Sequence, residues 1–225
     1  MATPYDTIVL DEVTSTQDLA TAELHRRSRP VLIVANRQTQ GRGRSGNPWW
    51  QAPHGIAASL AFSADTFAVQ ETFSLAVGLA VRSAIAALAD VAIDLKWPND
   101  LERNGRKIGG VLVERDEQRT VVGCGINLSW PQPPPGAGAL LDGVPSPTIG
   151  IEISKAWAHD VLHSQGRWDR TAYVAACSTL GSHLTWDPDG RGVATDVDSA
   201  GGLVVTTANG VETLRSGEVR TIRKA

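Results

Sequence analysis

The stretch from Ala92 to Leu128 constrains the fold most, because it spells successive strands of one folded-back sheet. Asn104-Gly105 is the pair that a two-residue hairpin turn needs, since both central positions take positive φ. Before it, Ala92-Ile-Asp-Leu-Lys-Trp97 reads as a strand that Pro98 ends, because proline has no N–H for the ladder. After it, Lys107-Ile-Gly-Gly-Val-Leu-Val-Glu114 is the return strand. Asp116-Glu-Gln118 then turns the chain into Thr120-Val-Val-Gly-Cys-Gly-Ile-Asn-Leu128. This meander puts Lys96, Asn99, Asp100, Lys107 and Asn127 on neighbouring strands of one sheet. Gly109, Gly110, Gly123 and Gly125 should weaken those strands unless something packs close to the backbone. A flat ligand over the sheet accounts for them, and so does a bulge or a helix contact. The sequence leaves both open.

The second constraint is Gln38-Thr-Gln-Gly-Arg-Gly-Arg-Ser-Gly-Asn-Pro-Trp-Trp50. Glycine lets the backbone approach a ligand closely. Arg42 and Arg44 keep their charge and present forked donors that match a carboxylate or a phosphate. Gly41 to Gly46 fits G-x-G-x-x-G, but a dinucleotide site needs a helix to start there. Asn47-Pro48-Trp49-Trp50 does not start one. A cationic, glycine-rich loop suits a small anionic ligand, and a solvated turn is the plainer alternative. No partner for either arginine is evident in the sequence, so the loop is expected to be mobile until a ligand orders it.

The remaining chain supplies a scaffold. Thr7 to Leu10 is a strand, and Leu19 to Leu24 is helical, with Ser15 or Thr16 placed to cap it. Val31 to Ala35 and Gly55 to Phe62 are buried strands. Glu71 to Ala89 is apolar for too long to be a strand and is read as a core helix. Pro131 to Pro147 is a loop. Ile153 to Leu162 and Thr171 to Leu180 are helices. His159 and His163 lie four apart, but no third metal ligand is evident, so a polar helix face is the expected reading. From Gly181 the runs shorten, with turns at Asp187-Pro-Asp-Gly190, Ser199-Ala-Gly-Gly202 and Asn209-Gly210. They predict a small all-β unit. The expected division is therefore 1–180 and 181–225.

Bulk properties exclude several classes. A formal net charge of −3 draws the chain neither to nucleic acid nor to membrane. No run of about 18 apolar residues suggests a membrane span, and no signal peptide is evident. Cys124 and Cys177 lie in apolar runs and fit a reducing cytoplasm. There is no phosphate-binding G-x-x-x-x-G-K-[ST] loop and no G-x-S-x-G elbow. What remains is Arg42, Arg44, Lys96 and Lys107 beside Asp100. Four cations over one sheet would repel unless an anion is bound. They suit charge stabilisation at a phosphate or acyl phosphate.

Together the motifs resemble the biotin protein ligases. Gly41-Arg-Gly-Arg44 with Trp49 is similar to that family's biotin loop, and Lys96-Trp-Pro-Asn-Asp100 to its K-W-P-N-D motif. Lys107 to Glu114 resembles its K-x-x-G-I-L-x-E strand, and Gly123-Cys-Gly-Ile-Asn127 its G-x-G-I-N strand. Ser216-Gly-Glu-Val219 resembles its C-terminal S-G-E-V. The five occur in the family's order. Gln17 departs from it where Asn is usual, and so does Ser45-Gly-Asn-Pro48, where the family often has another basic residue.

The resemblance implies an α+β fold: a central mixed β-sheet flanked by helices, with a small C-terminal Src-homology-3-like β-barrel. It implies biotin contacts from Ser15, Thr16, Gln17, Gln38, Arg42, Gly43, Arg44, Lys107 and Gly110. Adenylate contacts fall to Arg42, Arg44, Trp49, Asn99, Lys107 and Asn127. The chemistry falls to Lys107, Asp100, Arg44 and Lys96. It implies biotin, ATP and Mg²⁺ (the metal carried by the nucleotide rather than by a protein site), and a biotin carboxyl carrier protein as acceptor. It further implies a cytoplasmic monomer or weak homodimer without the DNA-binding domain some members carry. A lipoate-type ligase and a non-catalytic biotin sensor are the competing readings. The glycine-arginine loop argues against the first, and Lys107 with Asp100 against the second.

Overall fold

The computed structural model describes residues 3–27, 29–215 and 219–221. The first sheet is built from β1 (Asp6–Val13), β2 (Val31–Gln38), β3 (His54–Ser63), β4 (Asp94–Lys96), β5 (Asp100–Arg103), β6 (Arg106–Arg115) and β7 (Arg119–Ser129). Their order is β1-β2-β3-β7-β6-β5-β4. β1 runs parallel to β2 and every other pair is antiparallel, so the sheet is mixed. At the β5–β6 hairpin Asn104 has φ 53° and Gly105 φ 69°, the paired positive values that the Asn-Gly turn predicted.

Side-chain alternation divides β2 between two cores. Leu32 and Val34 point into a large core under α2 (Phe73–Ala89) and α3 (Ile149–Ser164). Val31 and Ile33 point to the opposite face, where Ala20 of α1 (Thr16–Arg26) packs on Ala61 and Val121. Each fully buried aliphatic side chain contributes about 1.5–3 kcal/mol. A strand apolar on both faces must therefore sit inside the sheet, as β2 and β3 do. α1 shields only part of its face. The rest, over β3, β6 and β7, is open to the long β2–β3 connection.

α4 (Arg170–Ala176) ends before the expected Leu180. Cys177 bridges to Leu95, and the Ser178 N–H donates to the Leu95 carbonyl at 2.9 Å. The free carbonyls of edge strand β4 capture the chain there and stop the helix.

The second sheet holds β8 (His183–Trp186), β9 (Gly190–Val197), β10 (Leu203–Thr207), β11 (Gly210–Leu214) and β12 (Arg220–Thr221), in the order β11-β10-β9-β8-β12. Among the described residues this order is open, with β11 and β12 at its edges, and closure into a barrel is not among the pairings. Residues 216–218 of the Ser216-Gly-Glu-Val219 motif lie outside the described residues. The two sheets meet at Trp97, whose indole N–H donates to the Gly201 carbonyl at 2.9 Å. A second tie is Arg170, which donates to the Val197 carbonyl at 2.7 Å.

Candidate active site

A cavity of about 610 Å³ opens on the face of the first sheet that α1 leaves uncovered. Its polar end is built by the start of α1. Ser15 is the N-cap and accepts from the Asp18 N–H at 3.3 Å. Thr16 donates both its N–H and its hydroxyl to Gln38 Oε1, at 2.7 and 2.9 Å, and accepts from Ser59 Oγ at 2.8 Å. Capping therefore locks this corner before any ligand arrives.

Gln17 is 4% exposed and donates Nε2 to Glu114 Oε2 at 2.9 Å. A carboxylate only accepts, so the amide oxygen must face the other way, towards Gly123. That oxygen is buried and has no partner among the described residues. Trp49 lies over Gly125 so closely that a Cβ there would stand 2.8 Å from the indole. Its Nε1 is likewise buried and without a partner among those residues. These contacts account for Gly123 and Gly125: the chain's own side chains press on the strand backbone. Gly110 has no neighbour nearer than 3.5 Å to such a Cβ and leaves open floor.

The glycine-arginine loop is a folded hairpin. The Trp49 N–H donates to the Gly41 carbonyl and the Gly43 N–H to the Asn47 carbonyl, at 3.0 and 2.7 Å. A single 3-10 turn, Arg44–Gly46, forms the tip, and no α-helix follows, in keeping with exclusion of a dinucleotide site.

The expectation of partnerless arginines is overturned. Arg42 donates to both Asp18 oxygens, at 3.0 and 2.8 Å, to both Glu114 oxygens, at 3.1 and 3.0 Å, and to Ser15 Oγ at 3.2 Å. Its pKa is raised, first by Asp18 and then by Glu114. Asp18 in turn is held below the usual carboxylate range, chiefly by the hydrogen bond from Arg42. Arg44 donates to Asn99 Oδ1 at 3.2 Å. Lys107 Nζ is 2.5 Å from Asp100 Oδ1 and lies 5.9 Å from the centre of the Trp49 ring. Lys96 Nζ is 3.7 Å from Glu102. Three of the four cations already face a carboxylate and Arg44 an amide oxygen, so the set is largely offset without a bound anion.

Every sequence-derived site residue but one lines this cavity: Ser15, Thr16, Gln17, Gln38, Arg42, Gly43, Arg44, Trp49, Lys96, Asn99, Asp100, Lys107 and Gly110. Asn127 stands apart. It is 3% exposed, accepts from the Ala52 N–H and donates to the Gly138 carbonyl, both at 3.2 Å, and so ties two loops together. Sequence reasoning missed the carboxylates that hold Arg42, Asp18 and Glu114. Glu114 was visible as the last residue of a recognised strand, but nothing local linked it to Arg42, 72 residues away. It also missed Arg220, which lines the cavity from β12.

Cys124 lines the wall with its thiol buried, and desolvation pushes its pKa up to about 12. His159 and His163 stack at 6.0 Å on α3. Among the described residues no three His, Cys, Asp or Glu converge as a metal site.

A buried polar corner, a far end where lysines and an arginine stand beside Asp100 and Asn99, and a glycine-arginine hairpin line one cavity. The profile of the Biotin/lipoate A/B protein ligase family matches residues 9–129. The chain belongs to that family. It is 32% identical over 213 residues to the biotin--[acetyl-CoA-carboxylase] ligase of Mycobacterium tuberculosis, spanning 86% of this chain and 79% of that one. It is 26% identical over 216 residues to the enzyme of the same name from Paracoccus denitrificans, spanning 83% and 88%. The biotin protein ligase of Aquifex aeolicus, solved with biotin and ATP, superposes with a TM-score of 0.82 at 25% identity, over 97% of this chain and 99% of that one.

Proposed function

We propose that the chain is an ATP-dependent biotin protein ligase working in two steps. In the first, a carboxylate oxygen of biotin bonds to the α-phosphorus of ATP, the bond to the β-phosphate oxygen breaks, and pyrophosphate leaves. In the second, a lysine amine of a carboxyl carrier protein bonds to the acyl carbon of biotinyl-AMP, and AMP leaves with the electron pair of the broken C–O bond. The observation that carries this reading is the cavity itself, with Ser15, Thr16 and Gln38 at one end and Arg44, Lys107 and Asp100 at the other. The cyclic urea of biotin fits the first end, and the carboxylate meeting a phosphate fits the second.

In this reading Ser15, Thr16, Gln17 and Gln38 take the urea. The orphaned Gln17 oxygen supports it, because a buried acceptor without a partner costs about 1–3 kcal/mol unless a ligand N–H supplies the bond. Gly110 leaves room on the floor, and Trp49, Gly43 and Asn99 enclose the adenylate. Arg42 is clamped by two carboxylates and serves to hold the loop. Arg44 and Lys107 offset negative charge as pyrophosphate leaves. Asp100 receives the proton of the acceptor amine, and Lys96 holds that corner through Glu102. Mg²⁺ would be carried by the phosphate oxygens of ATP.

Residues 1–180 form the catalytic unit in this reading and 181–225 a second unit that closes as a small barrel. A cytoplasmic monomer or weak homodimer completes it, supported by two buried free cysteines. No helix among the described residues is long and apolar enough to cross a membrane.

Mass spectrometry of a purified carrier domain after incubation with biotin, ATP and Mg²⁺ tests the proposal. The expected result is a mass gain of one biotin less water, with pyrophosphate released. Absence of both with an authentic carrier overturns it.

A further inference from the structure

We propose that Trp97 is a positioning residue, through which the Asp198–Gly202 turn of the second sheet sets Asn99 and Asp100 for the transfer step. The inference rests on the ligase reading of the site.

The Trp97 side chain is 2% exposed. Its backbone N–H is fixed by Thr179 Oγ1 at 2.9 Å, and its indole N–H reaches across to the Gly201 carbonyl at 2.9 Å. A buried indole usually finds a partner for that N–H; those of Trp49, Trp157 and Trp168 have none among the described residues, whereas the second sheet supplies one to Trp97. Next along the chain are Pro98, then Asn99, which accepts from Arg44, then Asp100, which pairs with Lys107. The indole therefore anchors one end of a short segment whose other end carries the reacting groups.

The acceptor is rigid. Gly201 has φ +84° and approaches α2 so closely that a Cβ would stand 3.0 Å from Leu75 and Thr72, so glycine is required there. Asp198 ties the turn from inside: its Oδ1 accepts from the Ala200 and Gly202 N–H groups at 2.9 and 2.8 Å, and Oδ2 pairs with Arg215 at 3.1 Å. A second cavity, of about 220 Å³, lies between this turn and the main site and shares Arg44, Trp97, Asn99 and Val111 with it. The main site is thus not backed by solid packing at this corner, and the indole bond spans the gap. The biotin end rests on α1 and β2 and makes no use of this link.

Trp97→Phe keeps the aromatic bulk and removes only the N–H. In the full chain, single-turnover transfer from preformed biotinyl-AMP to carrier should slow by on the order of 10- to 100-fold, the scale of a small misplacement of a reacting group. Biotin affinity without ATP should not change. Asp198→Ala, which leaves the indole intact but loosens its acceptor, should give the same pattern, and Asp198→Asn, which keeps the Oδ1 acceptor, should largely restore transfer. The double variant Trp97→Phe/Asp198→Ala should transfer no more slowly than the worse single variant, because both cut one link. Normal transfer in either single variant, a parallel loss of biotin affinity, or multiplying effects in the double variant overturns the proposal. Should Trp97→Phe fail to fold, the Asp198→Ala and Asp198→Asn rates decide alone. Failure of the unaltered protein to biotinylate a carrier instead sinks the ligase reading.

Discussion

Lys107 Nζ and Asp100 Oδ1 stand 2.5 Å apart across the β5–β6 hairpin, both on the wall of the cavity; the ligase reading puts the first at the phosphate and the second at the acceptor. In that reading the pair separates the two half-reactions. Removing the Lys107 ammonium takes away a donor aimed at charge that grows as pyrophosphate leaves. Lys107→Ala should slow adenylate formation by on the order of 10²-fold. Asp100→Asn should form adenylate at a near-normal rate but transfer it slowly. A free lysine has a pKa of about 10.4 and needs a base to become a nucleophile near neutrality. Raising the pH should partly rescue transfer. Single-turnover assays of each step check this: equal damage to both steps in Asp100→Asn would assign Asp100 to holding Lys107 rather than to the acceptor.

Arg44 donates to Asn99 and, among the described residues, pairs with no carboxylate, unlike Arg42. Its fork is therefore the better placed of the two for a phosphate. Arg44→Gly should weaken the hold on biotinyl-AMP more than the hold on biotin, whose head is neutral. Escaped adenylate should label bystander lysines. A filter-binding chase of preformed adenylate measures the release rate, and release no faster than in the parent removes this role from Arg44.

Local chemistry made the sheet readable and long-range pairing hid the site's charge balance. Asn104-Gly105 fixed a hairpin because only certain residues accept two positive φ values. Ser15 was legible as a cap because its bond reaches only to Asp18. The partners of Arg42 were not legible, since they lie 24 and 72 residues away on different elements. Asn127 sits in a recognised strand motif, but its side-chain direction depends on the loop that returns through Gly138. The early end of α4 depended on an unpaired edge carbonyl that no local pattern contains.

The Asp18–Arg42 contact carries a pH signature. Arg42 holds the Asp18 carboxyl below its ordinary value. A depressed folded-state pKa contributes stability above the unfolded value of about 3.9, and that contribution is lost as pH falls through the folded value. Asp18 is largely exposed, so the effect should be about 1 kcal/mol or less. The melting-temperature advantage of the parent over Asp18→Asn should be level from about pH 5 to 8 and close in stronger acid. An advantage that grows on acidification would contradict the pairing.

Glu114 is the shared anchor of the loop and the site floor: it accepts from Arg42 through both oxygens and from Gln17 through one. Glu114→Gln keeps the shape but removes the charge and replaces one acceptor with a donor. Arg42 then keeps Asp18 as its one carboxylate, beside Ser15, and the Gln17 amide loses the contact that fixes its orientation. Exposed regions with few anchors open most readily. Amide hydrogen exchange of 41–49 should therefore quicken in Glu114→Gln without ligand and return towards the parent rate once biotin and ATP are added, because the adenylate bridges loop and sheet. In the parent, exchange without ligand should already be slow at Gly43 and Trp49, whose N–H groups are bonded within the hairpin, and ligand should add protection mainly at the tip, 44–46. Equal exchange across 41–49 in parent and variant would show that Arg42 does not hold the loop, and its paired geometry would then have no bearing on closure.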